Sequence, residues 1–222
     1  MTDQAKPSQT IEDYLSLIYV IDRDNEAVVG ARLAELLGVT PPTVTNTLKR
    51  MVRDGLIIMD DNGTHLTESG MEKARQIVRK HMLMEWMMER MLPWSKLHSE
   101  AHNLEHAISE TAENALDEEL GHPQTCPHGN PLPGYESVVK DWLPLTQIKQ
   151  GQRVIIRRIH ELAENNSELM DFLEKRGVLI EKRATLFESL PVNQTLTLEL
   201  EESQVILGFS VAKYIYVEVF QQ

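Results

Sequence analysis

With 222 residues, 41% of them apolar, the chain has material for one large domain or two to three small ones. A formal net charge of −12 excludes indiscriminate attraction to polyanions, so contact with DNA requires Lys and Arg gathered on one surface and cations offsetting the carboxylates. One cysteine, Cys126, excludes an intramolecular disulfide framework, and the polar stretch Met1 to Gln9 has no secretory core; with no run of ~18 apolar residues, a cytoplasmic, non-exported chain without a membrane span is expected.

Apolar residues at 11, 14, 15, 17, 18 and 21 predict a first helix over 11–21, with Thr10 as its N-cap. A second short helix is predicted over 28–37, ending at Gly38, and Pro41-Pro42 starts a third that runs to about 54, before Gly55. Apolar runs at 56–59 and 65–67 flank Asp60-Asp61-Asn62-Gly63, and Asn-Gly is a strong hairpin signal. Three helices and a small hairpin, in that order, predict a winged helix-turn-helix. Two longer helices follow, over 69–91 and 95–120, then a loop rich in Gly, Pro and His at 121–134. Beyond about 145 the pattern turns to strands, at 153–159, 179–187, 195–200 and 214–220, with a short helix at 167–175. A small, partly open β-barrel is expected there.

The third helix has the character of a DNA-reading element. Its first turn offers Thr40, Pro42, Thr43, Thr45 and Asn46 to base edges or phosphates, and Lys49 and Arg50 can reach the backbone, as can Arg32 on the second helix. Val44, Leu48 and either Met51 or Val52 would face the preceding helix. Some of the hydroxyls also suit plain helix capping, and winged helices also serve as protein-binding modules.

The stretch from His98 to His106 carries different chemistry. At ~100° per residue, His98, His102, Glu105 and His106 share roughly one hundred degrees of helix surface. Three imidazoles and a carboxylate suit a divalent transition metal better than they suit a core. His81 and Glu85, at i and i+4, form a second such pair. A solvated, pH-sensitive face is the bland alternative. His122, Cys126 and His128 also have ligand character; they read as part of a structured connector, with a structural or adventitious zinc site as the rival. Trp86, Trp94 and Met82, Met84, Met87, Met88 and Met91 read as domain and dimer core.

These residues together resemble the diphtheria toxin repressor family of iron- and manganese-dependent transcriptional regulators. The resemblance rests on Glu12-Asp13-Tyr14-Leu15, Pro42-Thr43-Val44-Thr45, Met51-Val52-Arg53-Asp54-Gly55-Leu56, Arg79-Lys80-His81, the His98 to His106 stretch and Gly129-Asn130-Pro131-Leu132-Pro133-Gly134. It implies a mainly α chain with a small β domain: a winged helix-turn-helix over 1–70, a helical dimerisation and metal-binding domain over 71–144, and an SH3-like barrel over 145–222. It also implies a homodimer binding double-stranded, palindromic operator DNA and repressing metal-homeostasis genes when Mn²⁺, or alternatively Fe²⁺, is plentiful, with one to two divalent ions per subunit.

By the same resemblance, Asp13, His102, Glu105 and His106 form the regulatory site. The ancillary site takes His81, Glu85 and His98, completed from the barrel by Glu168, with Glu164 or Asn165 as further candidates. The best-known iron-responsive members have Met and Cys where this chain has Asp13 and His102, and harder ligands favour Mn²⁺ more. Manganese-responsive members usually carry a second acidic residue three positions after that Asp; Ser16 stands there and argues against a binuclear manganese site of that kind. A His/Glu-ligated hydrolase or oxygenase with an accessory winged helix is the competing function. No HExxH, nucleophile elbow or phosphate-cradling glycine loop supports it.

Overall fold

A computed structural model describes residues 7–24, 26–201 and 203–220, so residues 1–6 of the polar N-terminal stretch lie outside the described residues. The chain divides into two compact units, up to Lys80 and from His81 onward.

The first unit holds α1 (Gln9–Arg23), α2 (Gly30–Leu37), α3 (Pro41–Arg53) and the hairpin β1 (Ile57–Asp60) and β2 (Gly63–Leu66). This is the expected winged helix-turn-helix order. Helix α1 begins two residues early, because Ser8 rather than Thr10 takes the extended cap conformation and its carbonyl accepts from the Ile11 and Glu12 N–H groups at 2.7 and 3.0 Å. In α3, Val44, Leu48 and Met51 are buried while Val52 is 43% exposed, which settles the inward face on Met51.

The hairpin turn is displaced by one residue from the Asn-Gly expectation. Asp60 pairs with Gly63, leaving Asp61 and Asn62 as the turn, closed by the Asn62 N–H donating to Asp60 Oδ1 at 2.7 Å. Gly63 is needed in the strand itself: its φ is 133°, and an added Cβ would lie 2.9 Å from the Val28 carbonyl oxygen. The next residue, Thr64, donates its N–H to that same oxygen at 3.0 Å. The glycine therefore serves the docking of the wing, not the turn.

Helix α4 (Glu68–Met88) carries the border between the units and enters the second one at His81. A 3₁₀ turn (Trp94–Lys96) leads into α5 (Leu97–Leu104), followed by α6 (Glu110–Glu119). The single helix expected over 95–120 is thus broken at 105–109. Ser109 adopts extended backbone there and caps α6, accepting from the Ala112 N–H at 3.2 Å, a local bond that competes with continuation of the helix. Met84, Met88, Leu97 and Ala101 form the core of this part, with Leu92, Trp94, Ile108 and Leu116 packed against it. The methionine cluster splits: Met82, Met84 and Met88 are buried, whereas Met87 and Met91 are exposed.

The remainder is a six-stranded antiparallel sheet in the order β3-β8-β4-β5-β6-β7, comprising β3 (Leu143–Pro144), β4 (Arg153–Ile159), β5 (Arg183–Leu190), β6 (Thr195–Glu199), β7 (Gln204–Gly208) and β8 (Ile215–Val219). Register shifts at 156–158 and 186–188 bend it around a core that includes Val154, Ile156, Leu186, Leu198 and Val217. Short helices α7 (Glu161–Glu164), α8 (Ser167–Lys175) and α9 (Phe209–Ala212) connect the strands. The two strands not expected from sequence, β3 and β7, are the sheet's edges: β3 has only two residues, and in β7 the exposed Ile206 between buried Val205 and Leu207 makes the run uniformly apolar and hides its alternation. Among the described residues, no helix is long and apolar enough to cross a membrane.

Candidate metal centre and DNA-reading surface

In the first unit, Thr40, Pro42, Thr43, Thr45, Asn46, Lys49 and Arg50 are all exposed on α3 and its N-terminal approach. The Thr40 and Thr43 hydroxyls lie 2.9 Å apart, and the Thr45 hydroxyl donates to the Pro41 carbonyl at 3.0 Å. Thr45 is thus partly engaged with its own helix. Arg50 Nη2 donates to Ser8 Oγ at 2.8 Å. Arg32 is half-buried and paired with Glu26, so reaching a phosphate requires exchanging that carboxylate for the phosphate. Asp13 lies on α1, half-buried, and the Ser16 hydroxyl is turned back onto the Glu12 carbonyl at 3.0 Å.

The second unit gathers the histidines. Glu105, only 3% exposed, has Oε1 3.2 Å from His102 Nδ1 and 3.4 Å from His106 Nε2. Its other oxygen, Oε2, lies 2.5 Å from His81 Nδ1. Behind it, His81, Glu85, His98 and Glu164 each bring one ligand atom within 4.8 Å of the others. His81 Nε2 is 3.1 Å from Glu85 Oε1 and 2.9 Å from His98 Nδ1; Glu164 Oε2 is 2.8 Å from His98 Nδ1. Asn165 Oδ1 stands 3.2 Å from His98 Nε2. Glu85, wholly buried, also meets His128 Nδ1 through Oε2 at 3.2 Å and forms a third group with Cys126 and His128.

Of the barrel candidates, the structure brings Glu164 and Asn165 to the group and leaves Glu168 exposed on the first turn of α8, outside it. The physical reason is that α7 and α8 are separate helices, so a position four residues on does not repeat the same face. Cys126 and His128 are buried beside Glu85, while His122 is exposed and pairs with Asp117 at 2.7 Å. Nothing in the sequence separated those three ligand types. Only the buried ends of the Cys126–Asn130 turn, closed by Cys126 N–H to Asn130 O at 2.8 Å, do so.

Burial opposes charge on all of these groups; for His81, His98 and Glu105 the ionic partners prevail, and for Cys126 they add to burial. Burial works to lower His81, and the neighbouring His98 lowers it further, but the Glu105 and Glu85 carboxylates raise it to about 9. His98 is also burdened by burial and is pushed well above the usual imidazole range by Glu164 and Glu85. Glu105 is raised by burial and then brought down to about 2 by His102 and His81. Burial drives the Cys126 thiol up, and Glu85, Glu164 and Glu161 add to it, so it stays neutral.

Buried imidazolium–carboxylate pairs are the charge arrangement expected where protons occupy a cation site. The donor set fits a divalent transition metal: imidazoles and carboxylates, with Glu164 Oε2 buried and without a hydrogen bond of good geometry among the described residues. Binding such an ion requires neutral imidazoles. With His81 at about 9, Mn²⁺ titration at pH 7 is expected to release protons, and affinity should climb as pH approaches 9. Calorimetry in buffers of different ionisation enthalpy measures this; a buffer-independent heat would show that the histidines are not ligands.

Comparison with known proteins places these features together. The pattern "Iron dependent repressor, N-terminal DNA binding domain" matches residues 6–63, "Iron dependent repressor, metal binding and dimerisation domain" matches 67–134, and "FeoA domain" matches 143–219. The chain is 35% identical over 191 residues to the iron-dependent repressor IdeR of Mycobacterium tuberculosis, covering 80% of this chain and 83% of that protein. It is similar to the solved structure of the manganese regulator SloR, with a TM-score of 0.79 at 27% identity, covering 97% of this chain and 100% of that one. It is likewise similar to a manganese-dependent transcriptional repressor in complex with manganese, with a TM-score of 0.82 at 26% identity, covering 95% and 100%.

Proposed function

The chain belongs to the iron-dependent repressor family, that of the diphtheria toxin repressor, and from this premise we propose that it senses Mn²⁺, with Fe²⁺ as the alternative. It is a metal-dependent DNA-binding transcriptional repressor that acts on operator DNA as a homodimer; its family is one of repressors, not enzymes. The observation that carries the metal proposal is Glu105, a buried carboxylate facing His102 and His106 through one oxygen and His81 through the other.

In this proposal His102, Glu105 and His106 are the regulatory ligands, and Asp13 on α1 completes them. His81, Glu85, His98 and Glu164 form the ancillary set, so that each subunit takes one to two ions. None of these ligands carries sulfur, which favours Mn²⁺ relative to a thiolate–thioether set, and the two solved relatives above are manganese regulators by title. Glu85 with Cys126 and His128 is the rival donor set, better suited to a softer ion such as Zn²⁺.

A bound ion supplies positive charge that neutralises buried carboxylates and ties their helices together. The residues do the rest. With Asp13 as the proposed ligand from the reading domain, closing that set would restrain α1 and, with it, α3. Thr40, Pro42, Thr43, Thr45 and Asn46 then meet the major groove, with Lys49, Arg50 and Arg32 on phosphates. A two-fold dimer places its two reading helices about 34 Å apart, or a multiple, on a palindrome. A tenfold metal preference for the DNA-competent state corresponds to ~1.4 kcal/mol. We divide the chain into a reading domain over 1–70, a metal-binding and dimerisation domain over 71–144 and the SH3-like domain over 145–222. Repression of metal-uptake genes in the cytoplasm is the physiological role proposed.

The test is metal dependence. Chelated protein should lose specific operator binding and regain it with Mn²⁺ or Fe²⁺ under anaerobic conditions, followed by fluorescence anisotropy. Equal specific affinity in excess chelator and in saturating metal would sink the sensor.

A further inference from the structure

We propose that Asn130 and Arg158 are positioning residues that hold the Glu164 carboxylate in its metal-facing orientation, a role that rests on the ancillary set proposed above. Asn130 is completely buried. Its Nδ2 donates to Glu164 Oε1 at 2.5 Å and to the Ile159 carbonyl at 2.7 Å, and its Oδ1 accepts from Arg158 Nε at 2.5 Å. Each of these bonds has a fixed direction. An amide can accept from a guanidinium while donating to a carboxylate; a carboxylate in the same place could only accept.

Arg158 is itself anchored. It is 1% exposed, its Nη2 lies 3.1 Å from Glu161 Oε2, and its guanidinium sits over the Tyr216 ring at 4.9 Å from the centroid. The loop bearing Asn130 is equally fixed, since the Ile159 N–H donates to the His128 carbonyl at 2.9 Å. Gly129, at φ 84°, lies so close to β4 that an added Cβ would sit 1.9 Å from the Arg157 carbonyl oxygen. The consequence falls on Glu164. Asn130 occupies its Oε1, leaving Oε2 turned toward His98 Nδ1 at 2.8 Å and His128 Nδ1 at 3.6 Å. Oε2 is buried and faces the His98 and His128 imidazoles, so protons on those rings balance its charge where a metal cation would otherwise do so. The β domain thereby presents an aimed ligand rather than a free side chain.

The full chain and its Asn130→Asp, Glu164→Gln and doubly substituted forms would be titrated calorimetrically with Mn²⁺. Asn130→Asp keeps the size and the Arg158 contact but removes the donor to Glu164. It should weaken one class of Mn²⁺ site by about 10- to 100-fold and leave the other unchanged, the usual cost of losing a group that orients a ligand. In the Glu164→Gln background the same substitution should change affinity by no more than about twofold, because nothing remains to be aimed. An equal loss in both backgrounds, or none in either, overturns the proposal. If Glu164→Gln alone leaves both classes of site intact, the ancillary set is wrong and the proposal falls with it. Should Asn130→Asp fail to fold, Arg158→Lys, which keeps the cation but loses the Nε donor to Asn130, carries the same cycle with the same outcomes.

Discussion

Glu105→Gln is expected to cut metal-activated operator binding by about 100-fold or more while the fold and the dimer survive. The expectation follows from removing a charged ligand oxygen from the proposed metal set; a 100-fold loss corresponds to about 2.7 kcal/mol. Gln keeps the volume and one carbonyl acceptor, so packing around α5 is preserved. What it loses is the negative charge that faces His102, His106 and His81 at once. Operator affinity at saturating Mn²⁺, with size-exclusion chromatography as the check on dimerisation, decides the matter. Two comparators sharpen it. Glu164→Gln should weaken metal affinity yet leave operator binding attainable at high Mn²⁺, because Glu164 belongs to the β domain and to the proposed ancillary set, not to the proposed regulatory one. Glu168→Gln, at an exposed position outside the group, should behave as the parent chain. If Glu164→Gln abolishes operator binding while Glu105→Gln remains active, the two sites have been assigned in reverse.

The winged helix and the histidine-bearing helix were legible in the sequence because their signals are local. Pro41-Pro42 starts α3 and the i, i+4 spacing of His98 and His102 places two imidazoles on one face, whatever the rest of the chain does. The departures came where a distant contact overrides a local preference. Gly63 looks like a turn residue, but the Val28 carbonyl claims it for the strand. The helix predicted over 95–120 stops at Leu104 because Ser109 finds a cap bond that helical periodicity cannot foresee. Which carboxylate of the β domain joins the histidine group was the hardest to read. Glu164 and Glu168 are equally acidic and four residues apart, and only the break between α7 and α8 buries one and exposes the other. Asn130 gave a motif but no role; its meaning lies in Arg158 and Glu164, twenty-eight and thirty-four residues away.

Asp13→Met combined with His102→Cys should move metal preference away from Mn²⁺ toward later, softer ions. The reasoning starts from donor chemistry. Imidazole and carboxylate accommodate Mn²⁺ with little penalty, whereas thiolate and thioether stabilise Zn²⁺ and Co²⁺ disproportionately, on top of an affinity order that already favours the later ions. A ligand set without sulfur is therefore the least discriminating against manganese that this fold can offer. His102 is half-exposed, so the replacement Cys should be accessible to metal and able to ionise upon coordination, unlike the buried Cys126. The competition ratio of Mn²⁺ over Zn²⁺, measured by displacement on the dimeric protein, should fall by roughly an order of magnitude or more. Each single substitution should give part of the change, since both positions are proposed ligands of the same ion. A ratio unmoved by the double substitution would remove Asp13 and His102 from the ligand set. The selectivity would then have to come from Glu105, His106 and the ancillary group alone.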